Sequence, residues 1–63
     1  MSTLKEIREE RGLSRAQVAA KIDMSERHLY RLENGQSPVR RIHLAALADV
    51  YEIPVEELIR RAA

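Results

Sequence analysis

The chain has 63 residues, 44% of them hydrophobic and 33% charged, with a net charge of +1 and no cysteine. A chain this short buries only about 60% of the surface that it exposes when unfolded, so a deep enzyme pocket is not expected. Without cysteine the chain has neither disulfides nor thiolate zinc sites. Its longest apolar run, residues 44–48, is far shorter than the roughly 20 residues that a membrane helix needs. We therefore expect one small cytoplasmic domain over residues 1–63, with no membrane partner.

Helix-capping residues define the first two predicted helices. Thr3 and Glu6 have the spacing of a capping box, and Gly12 supplies a left-handed stop at the end of the first helix. Ser14 and Gln17 repeat the capping box for the second helix. Each helix therefore has a start signal of its own, separate from its apolar stripe.

Three further helices are predicted by similar signals. Ser25 caps the third helix, which an Asn-Gly pair at 34–35 closes. Ser37 followed by Pro38 predicts the start of the fourth helix, and Pro54 the start of the fifth. No run alternates apolar and polar residues as a half-buried strand does. The sequence thus predicts an all-α fold without strands, with helices over about residues 4–11, 15–22, 26–34, 38–50 and 54–61.

The second and third predicted helices have the spacing of a helix-turn-helix motif, because a connection of about three residues separates them. On the third helix, Leu29 and Leu32 lie about 60° apart on a helical wheel and mark its buried side, while Arg27 and Arg31 fall on the opposite side. Residues 15–41 hold six basic against three acidic residues, although the rest of the chain is net acidic. The basic charge is therefore concentrated around this motif.

Several segments in a fixed order resemble the phage-repressor and Cro-like (xenobiotic-response-element type) helix-turn-helix family. They are IREERGLS, RAQVAAKI, the MS that begins the third helix, LYRLENG at its end, and LAALADVYEIPVEEL. The resemblance covers about residues 4–58 and implies a compact, five-helix, lambda-repressor-like DNA-binding domain. It also implies a transcriptional regulator, with repression the expected mode, that binds a palindromic double-stranded operator as a homodimer. In that family the third helix enters the major groove and the second lies across the phosphate backbone.

The resemblance assigns DNA contacts to Arg15, Glu26, Arg27 and Arg31. Independently, an arginine can donate two hydrogen bonds to guanine, and a glutamate can accept one from cytosine. Glu26 has an alternative role at the start of its helix, where it stabilises the helix dipole. For the arginines the alternative is a solvated helix face.

Other polar residues near the motif are weaker candidates. Tyr30 can contact DNA or lie flat over the second helix, and His28, at the edge of the buried face, is expected to be structural. Near the start of the fourth helix, free backbone N-H groups favour an anion. The expected phosphate contacts there are Gln36, Ser37, Arg40 and Arg41.

Glu33 lies on the buried side of the third helix and needs a partner. The resemblance supplies Arg8, which would tie the first helix to the recognition helix as a structural ion pair. Two departures from the family pattern are Asp23, at a turn position where glycine is usual, and Pro54, in place of the usual polar cap of the fifth helix. Aspartate tolerates the left-handed conformation better than most residues, so we expect the turn to form. The change at Pro54 can shift the start of the fifth helix by one residue. One extra residue before the fourth helix also leaves the placement of Arg40 and Arg41 open.

Two other classes of function compete with DNA binding. Catalysis is not expected, because no nucleophile stands beside a base, and His28 and His43 lack the spacing of a helical metal-binding pair. We expect no metal, no cofactor and no small-molecule ligand. A protein-protein adaptor with the same fold is the stronger rival, and the clustering of arginines on one face argues against it. The sequence leaves open the operator, the regulated genes and whether a longer protein contains this segment.

Overall fold

The computed structural model describes residues 3–62, without the side chains of Thr3 and Ala62. Within that range the chain is all-α and has no strand. The capping bond expected of the Thr3 side chain lies outside the described residues. The five helices are α1 (Thr3–Glu10), α2 (Arg15–Lys21), α3 (Glu26–Glu33), α4 (Arg41–Tyr51) and α5 (Val55–Ala62).

The predicted capping groups of α2 and α3 are in place. The Ser14 hydroxyl accepts a hydrogen bond from the backbone N-H of Gln17, whose side-chain Oε1 accepts one from the backbone N-H of Ser14. The Ser25 hydroxyl accepts from the backbone N-H of His28. Gly12 ends α1 in the left-handed conformation, with φ of +69°. These local signals set the starts of α2 and α3 at the positions that the sequence predicts.

The predicted start of α4 is wrong by three residues. Ser37 and Pro38 lie outside the helix, which begins at Arg41, and Arg40 is its extended N-cap residue with ψ of 166°. Val39, which the prediction places inside the helix, lies in the segment before it and packs against the core. The cap comes from further along the chain, because the backbone N-H of Arg40 donates to Nδ1 of His43.

The start of α5 differs from the prediction by one residue. Pro54 stands just before the helix, and its carbonyl accepts from the backbone N-H groups of Glu57 and Leu58. Pro54 is thus the residue before the first turn, the place where a polar cap would otherwise stand. The preceding turn contains Glu52 in the left-handed conformation, with φ of +58°.

The hydrophobic core draws on all five helices. Its largest fully buried member is Tyr51 of α4. Most apolar side chains of the helices turn inward, as helical spacing predicts, but Ile42 and Ile59 remain exposed. The core is formed by Leu4, Ile7, Val18, Ala19, Leu29, Leu47, Ala48, Tyr51 and Leu58.

Candidate DNA interface

A left-handed residue makes the tight turn between α2 and α3. Asp23 has φ of +55°, and the backbone N-H of Met24 donates to the carbonyl of Ala19 at 2.9 Å. Aspartate tolerates the left-handed conformation better than most residues other than glycine. The turn expected at Asp23 is therefore formed, and α2 and α3 pack against each other as a helix-turn-helix pair.

The two sides of α3 differ sharply in exposure. Leu29 and Leu32 are buried, which fixes the helix to the rest of the fold. The opposite side carries arginines one helical turn apart, whose side chains are exposed. His28 is half-buried at the boundary between the two sides, as expected for a structural residue. The exposed polar residues of α3 are Glu26, Arg27, Tyr30 and Arg31.

A buried ion pair joins α1 to the last residue of α3. Nε of Arg8 donates to Oε2 of Glu33 at 2.7 Å, and its Nη2 donates to Oε1 at 3.4 Å. Nη1 of Arg8 also donates to the carbonyl oxygen of Leu13 at 3.0 Å. The hydrogen bond to Glu33 raises the pKa of Arg8 above its ordinary value. The guanidinium therefore stays charged in the interior, with an acceptor for each of its three nitrogens.

Arg15, at the first position of α2, reaches the same carboxylate. Its Nε donates to Oε1 of Glu33 at 3.3 Å, and its guanidinium carbon lies 5.0 Å from the centroid of the Tyr30 ring. Glu33 is therefore shared by two guanidiniums, and this group of three side chains carries one surplus positive charge where the start of α2 meets the end of α3. The sequence leaves Tyr30 either to contact DNA or to lie over the second helix. Its ring does lie against a residue of α2, but 44% of the residue remains exposed, so a contact with DNA is still open to it.

The N-terminus of α4 lies beside the first turn of α3. The rings of His28 and His43 make an edge-to-face contact, with centroids 5.3 Å apart and planes at 87°. Because Arg41 is two residues before His43, this contact brings the start of α4 close to α3. The residues expected to bind phosphate near that start are Gln36, Arg40 and Arg41, all exposed, and Ser37, half-buried.

A family model described as a helix-turn-helix domain matches residues 2–61 of the chain, which is nearly its whole length. The chain belongs to the helix-turn-helix domain family. No curated protein matches the sequence. Membership in this family makes DNA the partner that the fold suggests.

Two contacts of this helix-turn-helix domain have no signal in the sequence. The bond between Arg15 and Glu33 spans 18 positions, and the contact between His28 and His43 spans fifteen. The spacing of His28 and His43 excludes a metal-binding pair on one helix, but it does not exclude a contact between two helices. Across residues 3–62, however, no group of three or more His, Cys, Asp or Glu side chains is placed to hold a metal ion.

One buried polar group of the domain lies behind the ion pair. Burial and, to a smaller extent, the charge of Glu33 raise the pKa of Tyr51 to about 12, while the charge of Arg8 acts in the opposite direction. Within the described residues, its hydroxyl has no hydrogen-bond partner.

No helix within residues 3–62 is long and apolar enough to cross a bilayer.

Proposed function

We propose that the chain is a sequence-specific, double-stranded DNA-binding regulator of the phage-repressor and Cro-like subtype, and that it represses transcription. In this proposal residues 1–63 form one DNA-binding domain that acts in the cytoplasm on the nucleoid of a bacterium or on a phage genome. The observation that carries the proposal is the division of α3, where a fully buried Leu29 lies opposite exposed Arg27 and Arg31. Such a helix can enter a major groove while its other side stays in the core.

Arg27 and Arg31 read base edges in this proposal. They are exposed, one turn apart on a helix held by buried leucines, so both can reach the same stretch of groove. A bidentate arginine-guanine contact discriminates against a wrong base by about 1 to 3 kcal/mol. Glu26 stands in the first turn of α3, where it supports the helix dipole and can also accept from cytosine.

The phosphate contacts come from the start of α4 and from the segment before it. Arg40 and Arg41 carry two adjacent positive charges beside the first turn of α3, and Gln36, in the segment between α3 and α4, is exposed. Ser37 is half-buried and completes this group. Contacts of this kind fix the position of a protein on the duplex without reading sequence.

The dimensions of the domain support a dimer on a palindrome. Half-sites of such operators lie about 34 Å apart, and the Cα trace extends 24 × 22 × 21 Å. Once side chains are added, two copies at that spacing lie close enough to touch. Ile59 of α5 is 48% exposed, although its neighbour Leu58 is fully buried. We therefore assign Ile59 to the dimer contact.

Binding to duplex DNA at two salt concentrations tests the proposal. Affinity should fall steeply with salt, because each neutralised phosphate adds about 0.9 to the slope of log affinity against log salt. No binding at either concentration, even with an artificially dimerised chain, would reject DNA binding and favour a protein-protein adaptor.

Selection of bound sites from a random pool then separates base readers from phosphate binders. Arg27→Ala and Arg31→Ala should relax preference at particular positions, whereas Arg41→Ala should weaken binding to all sequences alike. Arg60→Ala is the matched control, since it removes an exposed arginine from α5. Uniform weakening by all three site variants would assign Arg27 and Arg31 to phosphates.

A further inference from the structure

The guanidinium of Arg15 is held on two sides. Its Nε donates to Oε1 of Glu33 at 3.3 Å, and its carbon lies 5.0 Å from the ring centroid of Tyr30. Glu33 has a fully buried side chain and is itself fixed by Arg8 at 2.7 Å. The Arg15 guanidinium is therefore positioned by a buried, fixed carboxylate on one side and by an aromatic ring on the other, although its own side chain remains 29% exposed.

The remaining donors of Arg15 have no acceptor within the described part of the chain. A guanidinium has five N-H donors, of which Nε supplies one and the two Nη atoms supply four. The structure shows an acceptor for the Nε hydrogen. The Nη atoms are left to bind a partner. Arg15 begins α2, the helix that would lie across the phosphate backbone in the proposed DNA complex, so a phosphate is the partner we consider.

We propose that Arg15, Tyr30 and Glu33 form one phosphate-binding unit, in which Arg15 makes the contact and the other two residues orient its guanidinium. This inference rests on the proposed DNA-binding function. Tyr30 is then a positioning residue whose ring provides a stacking surface, and its hydroxyl makes no contribution. Glu33, although buried, orients a group that contacts DNA.

The proposed unit needs an aromatic ring at position 30 and a planar guanidinium at position 15. Substitutions that remove either feature therefore test it. A flat cation packs on an aromatic face, and an ammonium cannot both stack and keep a fixed fork of donors. Tyr30→Phe should therefore bind DNA like the unmodified chain. Tyr30→Leu and Arg15→Lys should each weaken binding about three- to tenfold, the range for loss of such a contact.

The decisive measurement is a double-mutant cycle of DNA affinity with Arg15→Lys, Tyr30→Leu and the combined variant. If the residues act as one unit, the combined variant should bind no more weakly than either single one. The selected base preference should be unchanged in all of them, because phosphates carry no sequence information. Arg60→Lys is the matched control, and thermal melts establish that each variant is folded.

Three results would overturn the unit. Equal weakening by Tyr30→Phe and Tyr30→Leu would place the hydroxyl on DNA, additive losses would make the two residues independent, and unchanged affinity in Tyr30→Leu would remove the stacking role. A failure of the proposed function looks different, since the unmodified chain would then show no salt-dependent binding. That result would reject both proposals together.

Discussion

Replacing Glu33 by alanine tests whether the buried ion pair holds the fold together. The substitution leaves the Arg8 guanidinium in the interior, with the Leu13 carbonyl as its one acceptor among those that the structure shows. Removing one member of a buried pair costs about 3 to 5 kcal/mol, because the remaining charge has lost its compensation. No discount for solvent screening applies, since the Glu33 side chain is 0% and the Arg8 side chain 8% exposed.

This cost is large compared with the stability expected of a chain of 63 residues. At roughly 0.05 to 0.15 kcal/mol per residue, such a domain is stable by about 3 to 9 kcal/mol. Each kcal/mol shifts the melting temperature of a domain this small by about 4 to 8 °C. We therefore expect Glu33→Ala to lower the melting temperature by at least about 12 °C, and to be partly unfolded at room temperature if the parent lies at the low end of that range.

Thermal and urea unfolding monitored by circular dichroism measure this loss. Glu10→Ala is the matched control, because it breaks an ion pair of nearly the same length, 2.8 Å to Arg61, between exposed side chains. Exposed pairs contribute little, so that variant should melt close to the parent. A Glu33→Ala variant that also melts within a few degrees of the parent would refute the reasoning.

A second variant identifies the cause of the loss. Replacing both Arg8 and Glu33 by apolar residues of similar size, as Arg8→Met with Glu33→Leu, removes the stranded charge along with the pair. Such replacements are often neutral or stabilising, so most of the lost stability should return. Arg15 then loses its acceptor, but its partly exposed side chain can be hydrated. A double variant as unstable as Glu33→Ala would show that stranded charge is not the cause.

Substitutions at three further positions test other features of the fold. Ser25→Ala should cost about 0.5 to 2 kcal/mol in urea unfolding, because the first turn of α3 loses its side-chain acceptor. Glu52→Gly should raise stability by about 0.5 to 1 kcal/mol, since φ there is +58°, whereas Glu52→Ala should bring no such gain. Tyr51→Phe should change stability little near neutral pH, because the hydroxyl has no partner in the described chain. In the unfolded chain tyrosine ionises with a pKa of about 10, whereas burial raises the pKa of folded Tyr51 to about 12. Between pH 10 and 12 ionisation therefore favours the unfolded state. The free energy of unfolding of the parent should fall over this range relative to that of Tyr51→Phe.

The features that the sequence predicts well are those set by residues close together in the chain. The hydroxyls of Ser14 and Ser25 cap helices at the expected positions, and Asp23 adopts the left-handed turn conformation expected of it. Each depends on groups within about four positions of one another, where hydrogen-bond geometry leaves few choices. The same short-range periodicity correctly assigns Leu29 and Leu32 to the buried side of α3.

Errors arise where a residue that is distant in sequence decides the outcome. The Ser-Pro signal at 37–38 is a valid helix start in isolation, but Val39 packs into the core and the histidine contact places His43 where it can cap α4. Arg15 shows the same limit for function, because the family resemblance predicts a DNA contact for it, whereas Glu33, 18 positions away, binds its Nε. Helical periodicity identifies whether a residue lies on the buried or the exposed side of its helix. Which residue of another helix it contacts depends on how the two helices pack. The buried carboxylate consequently has two roles that no local pattern separates, since it stabilises Arg8 in the core and, in our proposal, orients Arg15 toward a phosphate.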